Sequence, residues 1–423
     1  FNTGLGGGAF QNTTAASNNT AVGYNSLLSN TTGAQNTSLG HNALYGTTTG
    51  SNNTGIGQGA LQGNTTGATN TAVGKAALAV NTTGGTNVAI GASTLAANTT
   101  ASDNTGVGYA VLLVNTTGTN NTGVGVNALQ ANTTASDNTA VGRNALLSNT
   151  TGTYNTAVGS LCLDSVIAGL KHTAIGYGAG KDLTGGEENT LAGYLAGENM
   201  TTASGSVAVG QEALKTLQTG NFNVAIGREA LLSVNGAADN VAMGKAAGEN
   251  ITTGAANTLI GKGAGAANVT GSNNIYIGKD STSASSAPSH VIIIGTVATA
   301  LNENNQFAFG NDTHGIVHNN FDTNASWTRT SDERKKTNIQ EDTLGLSFVN
   351  KLKPVTFNWK PSNELPKEFR DYAEENVKNT DIVLHGMLAQ DVKKALDEEE
   401  VNTFGGWMED DTGAQRLSQE MFI

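Results

Sequence analysis

Glycine recurs every seventeen residues from Gly6 to Gly295, in eighteen copies without one insertion or deletion. A period this strict constrains the fold more than any other feature of the chain. Each repeat must become one structural unit that stacks on its neighbours, and a change of length in any unit would break the register. The consensus is N-T-A-V-G-x-x-A-L-x-x-N-T-T-G-x-x. The residue before the periodic glycine is apolar in every copy, from Leu5 and Val22 to Ile294, with Ala192 the one small member. Two residues earlier stands Thr or a β-branched aliphatic, as at Thr20, Val88 and Ile275. That alternation is a strand signal. The glycine ends the strand where the backbone needs a positive φ or a close approach. The N-T-T-G stretch, as at Asn30 to Gly33, reads as a turn. The predicted fold class is mostly β: a parallel β-solenoid, or β-roll, over residues 1–299 with one coil per repeat. At about 4.8 Å per coil the stack extends roughly 80 Å.

Two further columns have physical content. Asn stands four residues before the periodic glycine in 15 of 18 copies, with His172, Ser206 and Val291 as the exceptions. Carboxamides stacked in this way can hydrogen-bond along the column. Leu stands four residues after the glycine in 11 copies, and Gly180, Gly197, Gly248 and Gly265 replace it in four others. Those four coils are expected to pack differently. Cys162 occupies a column otherwise rich in Ala and is expected to be a buried core thiol. One coil offers only two or three sizeable apolar side chains against the entropy of ordering seventeen residues. Ladder hydrogen bonds, neighbouring coils and burial between chains must supply the difference, so a homo-oligomer, specifically a trimer, is expected.

Composition narrows the alternatives. The chain has 55 Gly but only 4 Pro and one Cys, which excludes a collagen helix and an intrachain disulfide scaffold. No apolar run approaches the ~20 residues of a membrane-spanning helix. A net charge of −12 without a basic block gives no support for nucleic-acid binding. The chain begins at Phe1, and a native N-terminal segment is expected to precede it. Charge is unevenly placed: residues 331–423 hold 31 of the 56 charged residues, and the first 330 hold 50 of the 55 Gly. Two regions of different physics therefore meet near residue 330. After Gly295 the next comparable glycine is Gly310, fifteen residues on, and residues 300–330 read as a β-rich neck.

The N-T-A-V-G-x-x-A-L and N-T-T-G blocks resemble the head repeats of trimeric autotransporter adhesins and of phage tail fibres. The resemblance covers roughly residues 1–300 and implies a trimeric parallel β-roll. The usual head repeat of that family is somewhat shorter.

The charged end carries three blocks. Ser331-Asp-Glu-Arg-Lys-Lys-Thr-Asn-Ile339 comes first, then Leu344 to Lys360, then His385-Gly-Met-Leu-Ala-Gln-Asp-Val392. The second block reads as a short amphipathic helix that ends before Pro354, followed by an alternating strand from Val355 to Trp359. Met387 to Leu396 has apolar residues at helical spacing. The expected unit is a small α+β domain over residues 331–423. In this order the blocks resemble the intramolecular chaperone domain of endosialidases and phage tail fibres. The resemblance implies a domain that trimerises, guides folding of the β-structured fibre before it, and then cuts itself off at the Thr330–Ser331 bond. It implies Ser331 as nucleophile and Lys336 as general base, with Asp332, Arg334 and His385 in supporting roles. A Ser hydroxyl needs a base to become nucleophilic, and Lys serves when burial lowers its pKa. The family usually continues into a helical, coiled-coil-like end, whereas this chain stops at Ile423, so the domain is read as C-terminally incomplete.

The leading expectation is a structural, host-receptor-binding tail fibre of a virion, with self-processing serine endopeptidase activity and no external substrate. The expected partners are two further copies of the chain and a host cell-surface receptor, for which a glycan suits the polar Asn/Thr surface. A bacterial surface adhesin, located outside the cell, is the alternative. A polysaccharide-depolymerising tailspike ranks lower, because no pair of carboxylates stands out. No cofactor and no metal site are expected. The string Gly176-Tyr-Gly-Ala-Gly-Lys181 lacks the P-loop pattern and reads as a solenoid turn. His314 and His318 are four apart but fall in the β-rich neck. The sequons at Asn12, Asn30 and Asn64 are by-products of the repeat. Glu398 to Glu400 read as a solvated loop.

Overall fold

The computed structural model describes residues 1–296, 303–311, 315–320, 328–329, 344–367, 369, 372–375, 380–381, 383–402, 404, 406–409 and 413–417. The chain divides into two compact units, Phe1–Thr330 and Ser331–Ile423.

The first unit is a parallel β-solenoid of seventeen-residue coils. Its strands are short: Asn2–Leu5, Asn19–Val22, then three-residue strands such as Thr139–Val141 and Val224–Ile226, ending with Ile292–Thr296. Consecutive strands pair in parallel and in register, as Thr156↔Thr173, Ala157↔Ala174 and Val158↔Ile175. Their middle residue, usually Ala, faces the core, and the flanking residues face outward. The parallel ladder continues past the last seventeen-residue step: Gly295 pairs with Gly310 as Ile292–Thr296 meets Gln306–Asn311. Gly315–Asn320 and Thr328–Arg329 then add antiparallel.

The periodic glycine is required by contact as much as by φ. At Gly227 φ is +137°, and a Cβ there would lie 2.5 Å from the carbonyl oxygen of Gly244 in the next coil. The same close approach recurs from coil to coil, so the column tolerates no side chain.

The Leu column presents a different solution. Leu27, Leu44, Leu129 and Leu231 are completely buried, yet their φ values are +50° to +53°. A left-handed backbone costs a non-glycine residue roughly 1–2 kcal/mol. Burial of the Leu side chain returns about 1.5–3 kcal/mol. Gly180, Gly197, Gly248 and Gly265 keep the same left-handed backbone, at φ +60° to +70°. What differs is the filling. The space is taken by Leu191, Met200, Ile251, Leu259 and Tyr276, all fully buried, and a Cβ on Gly248 would lie 2.5 Å from Leu259 and 3.2 Å from Ile251. These four coils thus differ in side-chain packing alone, while the coil path is constant.

Two ladders of buried Asn run through the solenoid, one along most of the stack and a shorter one from Asn64 to Asn149. In the expected column each carboxamide oxygen accepts the backbone N–H of the equivalent Asn one coil on, as Asn36 N to Asn19 Oδ1 at 2.8 Å. Its Nδ2 donates to a turn carbonyl, as Asn36 to Gly50 O at 2.9 Å. The second ladder is formed by the Asn of N-T-T-G. Asn81, Asn98, Asn115 and Asn132 each donate from Nδ2 to the Oδ1 of the Asn one coil earlier, at 2.8–3.0 Å. Val166 ends this run, and the Oδ1 of Asn149 is left without a partner. Asn30 and Asn64, both in sequons, are fully buried. The polar surface expected from composition is therefore supplied by Thr, Ser and Asn at other positions, such as Asn18, Asn52 and Asn120, while the Asn residues of the two columns are largely interior. Cys162 is buried, donates to the Ala174 carbonyl at 3.2 Å, and burial pushes its pKa up to about 12.

His172 interrupts the first ladder. It is fully buried, its Nδ1 accepts the Asn189 backbone N–H at 3.4 Å, and its Nε2 has no hydrogen-bond partner. Burial holds its pKa down to about 4, opposed in part by the Gly186 backbone.

Two outcomes are expected. Gly227→Ala should strain the backbone by on the order of 1–3 kcal/mol before the clash is counted. Hydrogen exchange should rise in the coils around residues 210–261 ahead of distant ones, because each coil contacts only its neighbours. His172 is neutral in the native state, while in the unfolded chain it titrates near pH 6.5. Stability should therefore fall as pH drops from about 6.5 to about 4, by about 3 kcal/mol for this group, and be unaffected by it at higher pH. His172→Asn restores the ladder and should remove that part of the acid sensitivity in thermal melts taken across the range.

Candidate functional site

The second unit is built around two helices. Helix α1 (Leu346–Lys351) ends because Pro354 cannot extend it and Leu352 is already extended. Helix α2 (Ala389–Glu398) buries Val392, Ala395 and Leu396, which lie on one face at i, i+3 and i+4. Asp391 in its first turn suits the helix dipole. Phe348 of α1 packs on the buried face of α2, and Leu344, Leu352, Met387, Phe404 and Trp407 close the cluster. Pro354–Phe357 pairs antiparallel with Leu384–Met387. The sequence places both helices and this strand within two residues of where they stand.

His385 lies on the second of these strands, exposed and opposite Thr356. Thr330, Ser331, Asp332, Arg334 and Lys336 lie outside the described residues, as does His314.

The acidic run departs from its expected role as a solvated loop. Glu398 ends α2, and Glu399 accepts from Ser347 Oγ at 2.6 Å and pairs with Lys351 Nζ at 2.6 Å, with Glu398 also 3.5 Å from that amine. The hydrogen bond from Lys351, and then that from Ser347, lowers the Glu399 pKa. The same partners raise the Lys351 pKa, Glu399 foremost. The run clasps the end of α2 to α1. A charge pair 48 residues apart carries no spacing signal, so periodicity could not have found it.

Both units present apolar surface. In the second, Leu346, Val349, Trp359, Leu388 and Met408 are exposed. In the solenoid, the column before the periodic glycine forms an apolar stripe on the outer face of the sheet, with Leu39 at 47%, Ile175 at 50% and Ile294 at 44% exposure. Isolated exposed apolar residues are ordinary, but a continuous stripe marks an interaction surface. No helix among the described residues is long and apolar enough to cross a membrane.

Glu399→Ala should lower the melting temperature of the second unit and leave the solenoid transition unchanged in calorimetry. Because the Glu399 pKa is depressed, the clasp contributes above the unfolded carboxyl pKa and is lost as pH falls through the folded value. The loss on mutation should therefore vanish in acid, and salt should shrink it.

Residues 331–401 match a family described as the chaperone of endosialidase. No curated protein and no solved structure matches the chain. The chain thus joins a parallel β-solenoid to a segment similar to that chaperone family.

Proposed function

We propose that the chain is the shaft and receptor-binding part of a trimeric phage tail fibre, carried with the folding device that releases itself at Thr330–Ser331. The observation that carries this reading is the order of the two units: a parallel β-solenoid followed directly by a segment that matches the chaperone of endosialidase from residue 331. Trimerisation is supported by the apolar stripe along the solenoid and by the exposed apolar residues of the second unit. Covering these surfaces with two further copies removes them from water at roughly 25 cal/mol per Å².

In the self-cleavage step Lys336 takes the proton of the Ser331 hydroxyl. The oxygen attacks the Thr330 carbonyl carbon, and an ester forms as the C–N bond breaks. The proton passes to the freed Ser331 amine, and water then hydrolyses the ester. A neutral Lys is needed at the start, which partial burial in a trimer would favour. Asp332 and Arg334 hold the loop or the subunit boundary, and His385 supports the site from its strand. The fibre belongs on the virion, outside the host cell; a bacterial surface adhesin built from the same repeats is the second reading, favoured by the head-repeat pattern.

Intact-mass measurement on the expressed full chain should give two fragments split between Thr330 and Ser331, and light scattering should give a trimer. Ser331→Ala should leave one full-length chain and Lys336→Met should slow cleavage by at least about a hundredfold. Continued cleavage of Ser331→Ala rejects the nucleophile, and a monomer rejects the fibre reading.

A further inference from the structure

The solenoid has one column that its core does not explain. The residue directly after the periodic glycine is turned outward, and its side chains stand side by side from coil to coil. Tyr24 stacks on His41 with centroids 5.6 Å apart and planes 15° apart, and Tyr177 stacks on Tyr194 at 5.5 Å and 13°. Residues 1–296 contain nine Lys and Arg, and six of them fall on this column, which holds one position in seventeen. Four of the seven Tyr in that stretch fall there too, and none of its twelve Asp and Glu. In a chain of net charge −12 this is a basic and aromatic line on an otherwise weakly charged shaft.

The cations concentrate at one end. Arg228, Lys245, Lys262 and Lys279 occupy four consecutive coils and all are exposed. Stacked about 4.8 Å apart, four like charges repel one another unless an anion lies along them. Arg228 pairs with Glu229 at 2.7 Å and Lys279 with Asp280 at 3.5 Å. Beside the two central lysines stand Ala246 and Gly263, and among the described residues neither lysine has an ion pair. The backbone beneath is fixed. The carbonyls of Arg228, Lys245 and Lys262 accept N–H groups from Ala246, Gly263 and Asp280 of the following coils at 2.7–2.9 Å. The line therefore needs little ordering to receive a linear ligand.

We propose that this column is the binding line for an acidic polysaccharide, with its carboxylates paired to Lys245 and Lys262 and flanked by Arg228 and Lys279. The proposal rests on the reading of the shaft as the attachment part of a fibre and names its ligand class and its residues. The coil rise is close to the advance of one sugar unit in an extended chain, so a uronic-acid polymer laid along the column brings about one carboxylate per coil, within reach of long Lys and Arg side chains. Tyr177 and Tyr194, three and two coils before Arg228, offer flat apolar rings with hydroxyls for sugar faces further along the same line. A single-stranded nucleic acid fits less well. It calls for bases stacked on aromatic rings along the charged groove, and here the four cations follow one another with no ring between them.

The test uses the full chain and soluble polygalacturonate, with neutral dextran and single-stranded oligothymidylate as comparisons, by calorimetric titration at about 50 and about 200 mM salt. Binding to polygalacturonate that weakens with salt is expected. The double variant Lys245→Ser/Lys262→Ser should lose at least about tenfold in affinity and show a shallower salt dependence. Its melting temperature and oligomer mass should not change. Equal binding of dextran, equal or tighter binding of the oligonucleotide, or full affinity in the double variant overturns the proposal. So does a change of oligomer mass in that variant, which would make the column a contact between subunits. A trimer that cleaves at Ser331 but binds no polygalacturonate sinks this inference and leaves the fibre reading standing; a monomer that does not cleave removes the fibre reading itself.

Discussion

The coil-to-coil carboxamide bond is what the rest of the solenoid depends on. Each Asn in the ladder ties its own coil to the next through Oδ1 and to a turn carbonyl through Nδ2, as Asn53 does with Asn70 N–H at 3.0 Å and Gly67 O at 2.9 Å. A coil with a three-residue strand has few backbone bonds of its own, so its turns would otherwise leave buried donors and acceptors unmatched. Burying an unpaired amide costs far more than a paired one contributes. The ladder satisfies those groups and fixes coil length at the same time, because one inserted residue would carry the next Asn off the column.

The left-handed corners follow from the same economy of length. Seventeen residues must turn a full circuit, and the chain does so by placing non-glycine residues at positive φ in nearly every coil. The strain at Leu27 or Leu129 is held because those side chains fill the axis of the coil. Where Gly180 or Gly248 relaxes the strain, Leu191 or Leu259 moves into the space. Strain and packing exchange against each other while the path stays constant, which is how eighteen repeats tolerate sequence change without a change of length.

A constant path also orders the exterior. A side chain outside the core has a neighbour of the same column about 4.8 Å above and below it. Columns therefore act as lines, and the apolar line before each periodic glycine and the basic and aromatic line after it run beside one another along the shaft. In the second unit the logic is that of a small globular domain: a buried face on α2, a proline stop after α1, and a Lys351–Glu399 clasp.

The sequence by itself determined the solenoid, its coil length, its strand positions, the first Asn ladder and the helices of the second unit. These are set by local periodicity and by residues with narrow conformational or hydrogen-bonding needs, such as Gly227 and Asn36. The match of residues 331–401 to the chaperone family rests on sequence too. Tertiary structure alone decided what depends on which groups meet across coils or between helices. The N-T-T-G asparagines proved interior, His172 was placed in the ladder with a buried Nε2, and the Gly180-type coils were refilled from neighbouring columns. Glu399 was brought to Lys351 across 48 residues. Period reports which way a residue faces, but contact partners, and with them the pKa values and strain, are fixed only when the coils stack.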